Sequence, residues 1–208
     1  MANNTIASNL LQINAIKLNP ANPFTWASGW KSPIYCDNRK TLSFPQVRNV
    51  VCDGFVELIR DKYPDVEVVA GVATGAIAHG MLVADRMSLP FIYVRSAPKS
   101  HGLSNQIEGD YKSGQKVVVI EDLISTGMSS LAAVEALKNA GCNVLGLVAI
   151  FTYQFNQATE GFANAGVEFS TLSNYTELIE TAIESGYVKP DQLELLNSWR
   201  ENPEAWEK

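Results

Sequence analysis

The stretch Val117-Val118-Val119-Ile120-Glu121-Asp122-Leu123-Ile124-Ser125-Thr126-Gly127-Met128-Ser129 decides the fold. Four consecutive β-branched aliphatics read as a strand buried on both faces, and the carboxylates of Glu121 and Asp122 are expected where that strand ends. Small and hydroxyl-bearing residues follow, and over 130–140 apolar residues resume at helical spacing. The order is strand, acidic pair, small-residue turn, helix. In an open parallel sheet, ligands bind beyond the carboxyl ends of the strands. A helix N-terminus after a small-residue loop offers unpaired N–H groups and a positive dipole end to an anion. The same residues therefore suit a phosphate and, beside it, a group that wants carboxylates, such as hydroxyls or a divalent cation.

Two other phosphate loops are excluded by spacing. The turn has neither the G-x-x-x-x-G-K-[ST] of a P-loop nor the G-x-G-x-x-G of a dinucleotide fold, so ATPase and dehydrogenase readings lose their main support. What remains resembles the phosphoribosyl pyrophosphate (PRPP) signature of type I phosphoribosyltransferases. The bland alternative is an ordinary strand-to-helix turn with acids at its cap.

At 208 residues the chain suits one domain with a sizeable core. Its composition, 46% hydrophobic and 18% charged, is that of a soluble globular protein, and no apolar run approaches a membrane span. Residues 1–18 are polar and broken by Asn, so no secretion signal is expected. Cys36, Cys52 and Cys142 are scattered without a C-x-x-C pair, which fits a reducing cytoplasm better than a disulfide framework or a zinc site. The net charge of −6 argues against general nucleic-acid binding.

Outward from the central stretch, strands and helices alternate, which predicts a doubly wound, mostly parallel α/β sheet. A helix is expected over 5–18, ended by Asn19-Pro20. Residues 23–39, dense in aromatics, glycine, proline and cations, read as irregular or hairpin-like, suited either to cover a planar anionic ligand or to pack as an aromatic hairpin. A helix over 44–62 and a strand over 66–70 follow. A second small-residue loop, 71–80, then leads into a helix reaching Met87. His79 in that helix reads as structural. After a strand at 90–94, residues 95–110 hold Arg95, Lys99 and His101 with few large apolars. This is either a functional loop able to hold and shield a pyrophosphate or a solvated excursion. A buried strand is expected over 144–151, helices near 157–165 and 174–184, a short strand over 167–169, and a C-terminal helix opened by Pro190-Asp191.

Taken together, these segments resemble the orotate phosphoribosyltransferase family over nearly the whole chain. The hood at 24–39 with Lys31-Ser32-Pro33, the loop at 71–80, the loop at 95–109 with Lys99-Ser100-His101-Gly102, and the signature at 121–129 stand in the family's order. The resemblance implies a single domain of the type I phosphoribosyltransferase kind, with hood 1–43, core 44–172 and C-terminal helices 173–208. It implies transfer of the phosphoribosyl group from PRPP to orotate, giving orotidine 5′-monophosphate and pyrophosphate, with Mg²⁺ held mainly through PRPP. Lys99, His101, Glu121 and Asp122 take the catalytic roles. The PRPP contacts are Arg95, Lys99, His101, Glu121, Asp122, Leu123, Ile124, Ser125, Thr126, Gly127, Met128 and Ser129, and those to orotate are Lys31, Ile34, Tyr35, Arg39 and Ser125. A cytoplasmic homodimer sharing the 95–109 loop between subunits is also implied. Three positions depart from the family pattern: Ala27, Ser96 and Tyr153 stand where relatives often carry a cation. Lys31 or Arg39 is the expected substitute for the charge that meets the orotate carboxylate. A PRPP-binding regulator and a transferase for another base share the same fold and stay open at this point.

Overall fold

Chain order explains how the elements assemble. A computed structural model describes residues 5–26, 28–97 and 106–206. Helix α1 (Ile6–Gln12) starts where Thr5 Oγ1 accepts from the Ser8 N–H, and it ends well before the expected residue 18. Asn14 turns the chain at φ 54°, and β1 (Ile16–Leu18) then pairs antiparallel with β4 (Ile34–Cys36). Between them β2 (Phe24–Thr25) and β3 (Lys31–Ser32) form a small hairpin. A 3₁₀ turn, Asn38–Ser43, leads into α2 (Pro45–Lys62), whose Val47, Val51, Phe55 and Ile59 are buried as the helical spacing requires.

The central sheet contains β5 (Val68–Val72), β6 (Phe91–Val94), β7 (Ile107–Glu108), β8 (Lys116–Ile124), β9 (Asn143–Thr152) and β10 (Phe169–Asn174), in the order β10-β9-β8-β5-β6-β7. All neighbours are parallel except β6 and β7. Helix α3 (Ile77–Met87) carries the chain from β5 outward to β6, whereas α4 (Met128–Asn139) and α5 (Asn156–Asn164) carry it the other way, to β9 and β10. Right-handed crossovers in opposite directions put these helices on opposite faces, which buries residues 117–120 completely. The direction reverses between β5 and β8, so a crevice opens beyond their carboxyl ends.

Three further expectations need correction. Strand β8 does not stop at the acids but runs to Ile124, because β9 goes on pairing through Glu121–Ala149, Leu123–Phe151 and Ile124–Thr152. Strand β5 begins at Val68, two residues after the expected start, and extends through Gly71 and Val72 by pairing with β6. Strand β10 starts at Phe169, where the short strand was expected to end, and runs along β9 to Asn174. Helices α6 (Tyr175–Glu184) and α7 (Leu193–Glu201) complete the described chain. Helix α7 packs Trp199 against Trp26 of the hood and Tyr153 after β9. No helix among the described residues is long and apolar enough to cross a membrane.

Candidate active site

The crevice at the sheet's switch point is a cleft of about 410 Å³. The hood contributes Cys36, Asp37 and Arg39 to its wall, the end of β5 and its loop contribute residues 72–75, and β8 with the start of α4 contributes Glu121, Asp122, Leu123 and Ser129. The turn closes because Gly127, at φ 82°, occupies the N-cap of α4 in a left-handed conformation that favours glycine. The helix thus begins at the cleft's edge with its first N–H groups free for an anion.

The two acids stand in unlike surroundings. Glu121 is only 4% exposed, and both its oxygens are engaged: Ser130 Oγ donates to Oε2 at 2.9 Å and the Asp122 N–H donates to Oε1 at 3.0 Å. Burial, and then the adjacent Asp122 charge, raise its pKa to about 8, so it holds a proton at neutral pH. Asp122 is half-buried and presents its carboxyl to the cleft opposite Gly75. Its backbone carbonyl accepts from Asn38 Nδ2 at 2.6 Å, which ties the hood to the acidic strand. Asn38 is buried, its side-chain oxygen accepts from the Cys36 thiol at 3.3 Å, and its carbonyl accepts from Thr41 Oγ1. Thr41 in turn touches His79 Nε2 at 3.3 Å. His79 is buried behind the cleft, and burial pushes its pKa below the ordinary value, in keeping with a structural role. Burial, with the charges of Asp122 and Asp37, pushes the Cys36 thiol well up, so it stays protonated.

Among the expected site residues, Arg39, Glu121, Asp122, Leu123 and Ser129 meet in the cleft. Arg39 is held by Asp37, whose Oδ1 accepts from its Nε at 2.7 Å. Ser125 and Thr126 form the turn with Gly127, Ile124 is a buried core residue, and the Met128 side chain is 74% exposed. Lys31 stands apart from the cleft wall, with Nζ donating to Thr25 Oγ1. The backbone of Ile34 is already occupied: its N–H donates to Ser32 Oγ, and its carbonyl accepts from Ser32 Oγ and Trp26 Nε1. The half-exposed Tyr35 packs on Phe24. Arg95 lies at the root of the 98–105 segment, 3.6 Å from Glu108, with its carbonyl accepting from Gln106 Nε2. Lys99 and His101 lie outside the described residues. Tyr153 is a buried phenol in an aromatic cluster. Sequence reading missed Asn38 and Ser130 as individual residues; the first reaches its partner across 84 positions.

Gly75 is a position where the cleft needs glycine, since a Cβ built there collides with the Asp122 carboxyl. Gly75→Ala is expected to displace that carboxyl and lower kcat/KM by at least about tenfold, since tight sites do not absorb an added methyl without a shift. Steady-state kinetics with an unchanged melting curve would locate the loss at the site.

A switch-point cleft with an acidic strand, a small-residue turn and a helix N-terminus defines a phosphoribosyltransferase of type I. The family model described as phosphoribosyl transferase domain matches residues 49–174. An orotate phosphoribosyltransferase from Porphyromonas gingivalis is 57% identical over 201 residues, covering 97% of this chain and 96% of that one. One from Streptococcus pneumoniae is also 57% identical, over 202 residues, with 97% and 96% covered. The crystal structure of the orotate phosphoribosyltransferase from Aeropyrum pernix superposes with a TM-score of 0.77 at 29% identity, covering 88% of this chain and 99% of that one. The chain belongs to the orotate phosphoribosyltransferase family.

Proposed function

We propose that this protein transfers the 5-phosphoribosyl group of PRPP to N1 of orotate, releasing pyrophosphate and forming orotidine 5′-monophosphate for pyrimidine nucleotide synthesis. The observation that carries this reading is the juxtaposition of Asp122, the α4 N-terminus and Arg39 in one cleft, in a chain whose full-length relatives bear this name. The bond from C1 of the ribose to pyrophosphate breaks as N1 of orotate bonds to C1, and the ribose carries positive charge in between. Asp122 offsets that charge and accepts from the ribose hydroxyls, while the neutral Glu121 orients it from behind. Turn residues 125–129 cradle the 5′-phosphate through N–H groups and hydroxyls.

Orotate lies under the hood, with Arg39 the better placed of the two candidate cations for its carboxylate, because Arg39 lines the cleft and Lys31 does not. Arg95, Lys99 and His101 neutralise the departing pyrophosphate. Asp122 and Asp37 offer hard oxygen donors in the same cleft, a donor type that fits Mg²⁺. Among the described residues no cluster of three His, Cys, Asp or Glu could cage a metal, so the ion would be held chiefly by PRPP, with Asp122 beside it. When bound, Mg²⁺ neutralises pyrophosphate charge. The reading extends to a cytoplasmic homodimer whose 95–109 loops serve both clefts, with no nucleic-acid partner.

One assay tests the reading. Protein, Mg²⁺, PRPP and orotate are mixed and the ultraviolet absorbance of orotate is followed, then uracil, hypoxanthine and adenine replace it. Orotate turnover well above the other bases is expected; faster turnover of another base, or none of orotate, overturns the proposal.

A further inference from the structure

The aromatic cluster between the hood and the C-terminal helix has no part in the chemistry above. Trp199 of α7 is completely buried. Its ring meets Trp26 edge-on at 5.6 Å and Tyr153 at 5.6 Å, and it lies 5.4 Å from Phe155 and 5.5 Å from Tyr175. Its Nε1 donates to the Lys31 carbonyl at 3.1 Å, across 168 residues of chain. On its Tyr175 side α7 is held as well: Tyr175 Oη donates to the Leu196 carbonyl, and Arg200 sits over the Tyr175 ring and donates to Thr176 Oγ1.

From Trp199 the contacts run onward into the cleft. Trp26 caps its own hairpin by donating its N–H to the Trp30 carbonyl, and its Nε1 donates to the Ile34 carbonyl at 3.0 Å. Ile34 opens β4, and the residues that follow it are Cys36, Asp37 and Arg39, the hood's share of the cleft wall. The hood is otherwise made of strands of two or three residues, too short to hold themselves in one place by ladder hydrogen bonds. Support from outside the hood is therefore needed, and Asn38 provides it only at the Asp122 end. The edge-on Trp199 ring against Trp26 and the Trp199 N–H to Lys31 supply it.

We propose that Trp199 is a positioning residue for the base end of the cleft: through Lys31 and Trp26 it sets where β4 delivers Arg39, and so how tightly orotate is held. The inference rests on the orotate reading above. It gives the C-terminal helix a role in base recognition, although none of its residues lines the cleft.

Trp199→Phe keeps an aromatic ring and removes the N–H to the hood. In the full-length enzyme it is expected to raise the orotate KM about fivefold or more, the effect of one lost hydrogen bond, while the PRPP KM stays within about twofold. Trp26→Phe breaks the next link and is expected to give the same split. Tyr175→Phe is the control. It removes a buried hydrogen bond from the same cluster, on the side away from the hood, and is expected to lower Tm without moving the orotate KM. The proposal is overturned if Trp199→Phe and Trp26→Phe leave the orotate KM unmoved, if both KM values rise equally, or if Tyr175→Phe raises the orotate KM as much. Were Trp199→Phe to unfold at the assay temperature, Trp26→Phe against Tyr175→Phe decides alone. A wild-type enzyme that does not turn over orotate instead overturns the functional reading beneath it.

Discussion

Asp122→Asn is expected to lower kcat by about a hundredfold, the usual cost of removing a group aimed at charge that develops in the transition state. Asn is the same size and shape as Asp, so it fits the space opposite Gly75. The backbone of residue 122 remains held by Asn38, and the strand remains paired through its neighbours Glu121 and Leu123. The melting curve should therefore change little. Binding of PRPP, measured by calorimetry, should weaken far less than turnover, because the turn at 125–129 and the α4 N-terminus still hold the 5′-phosphate. Single-turnover rates on enzyme saturated with PRPP separate the two effects. An unchanged kcat would remove Asp122 from the centre of the mechanism.

The contrast between the two acids shows what the sequence carries and what it hides. The run at 117–120 announces a two-sided strand because four β-branched residues in a row leave no polar face, and all four are fully buried. The small residues after it announce a turn, which Gly127 makes at φ 82° before α4 begins. Charge misleads at the strand's end: two carboxylates look like a boundary, yet β9 pairs with them regardless, since one points inward to Ser130 and the other outward to the cleft. At the N-terminus, Ile13, Ile16 and Leu18 satisfy helical spacing and also suit a strand, and only the partner β4, far along the chain, decides. The polar β10, Phe-Ser-Thr-Leu-Ser-Asn, has too little apolar alternation to be measured from sequence.

Residues that act through long-range contact are the least legible. Asn38 and Trp199 join partners 84 and 168 positions away; a tryptophan in the tail is expected to pack on the body or on a partner, but nothing around either residue says on what. Ser130 is close to Glu121 in the chain, but its role depends on the first turn of α4 folding back beside the strand. Arg39 and Asp122, which line the cleft, were readable as residue types. The residues that aim them were not, because aiming is a property of packing and not of residue type.

Glu121→Gln is expected to separate stability from activity in the opposite sense to Asp122→Asn. In the unfolded chain Glu121 titrates near its ordinary 4.5, whereas in the folded protein burial, and then the Asp122 charge, hold it up at about 8. Between those values the native state keeps a proton that the unfolded state releases. The stabilisation from neutral Glu121 is thus complete below the unfolded value and is lost as pH rises through the folded one, with a slope approaching about 1.4 kcal/mol per pH unit. Gln supplies a permanently neutral side chain of the same shape, able to accept from the Asp122 N–H and to meet Ser130 Oγ. Its unfolding free energy should lack this slope, so the variant gains on the wild type from pH ~5 to ~8 and keeps the advantage above. Urea titrations across that range measure it directly. At neutral pH the variant should retain most of its turnover, since the proton on Glu121 already makes it a neutral hydrogen-bonding group there. Parallel pH–stability curves for the two proteins would show that Glu121 is ionised in the folded state. A loss of turnover matching that of Asp122→Asn would mean that both acids touch the ribose, as the signature alone implies, and that Glu121 leaves Ser130 when substrate binds.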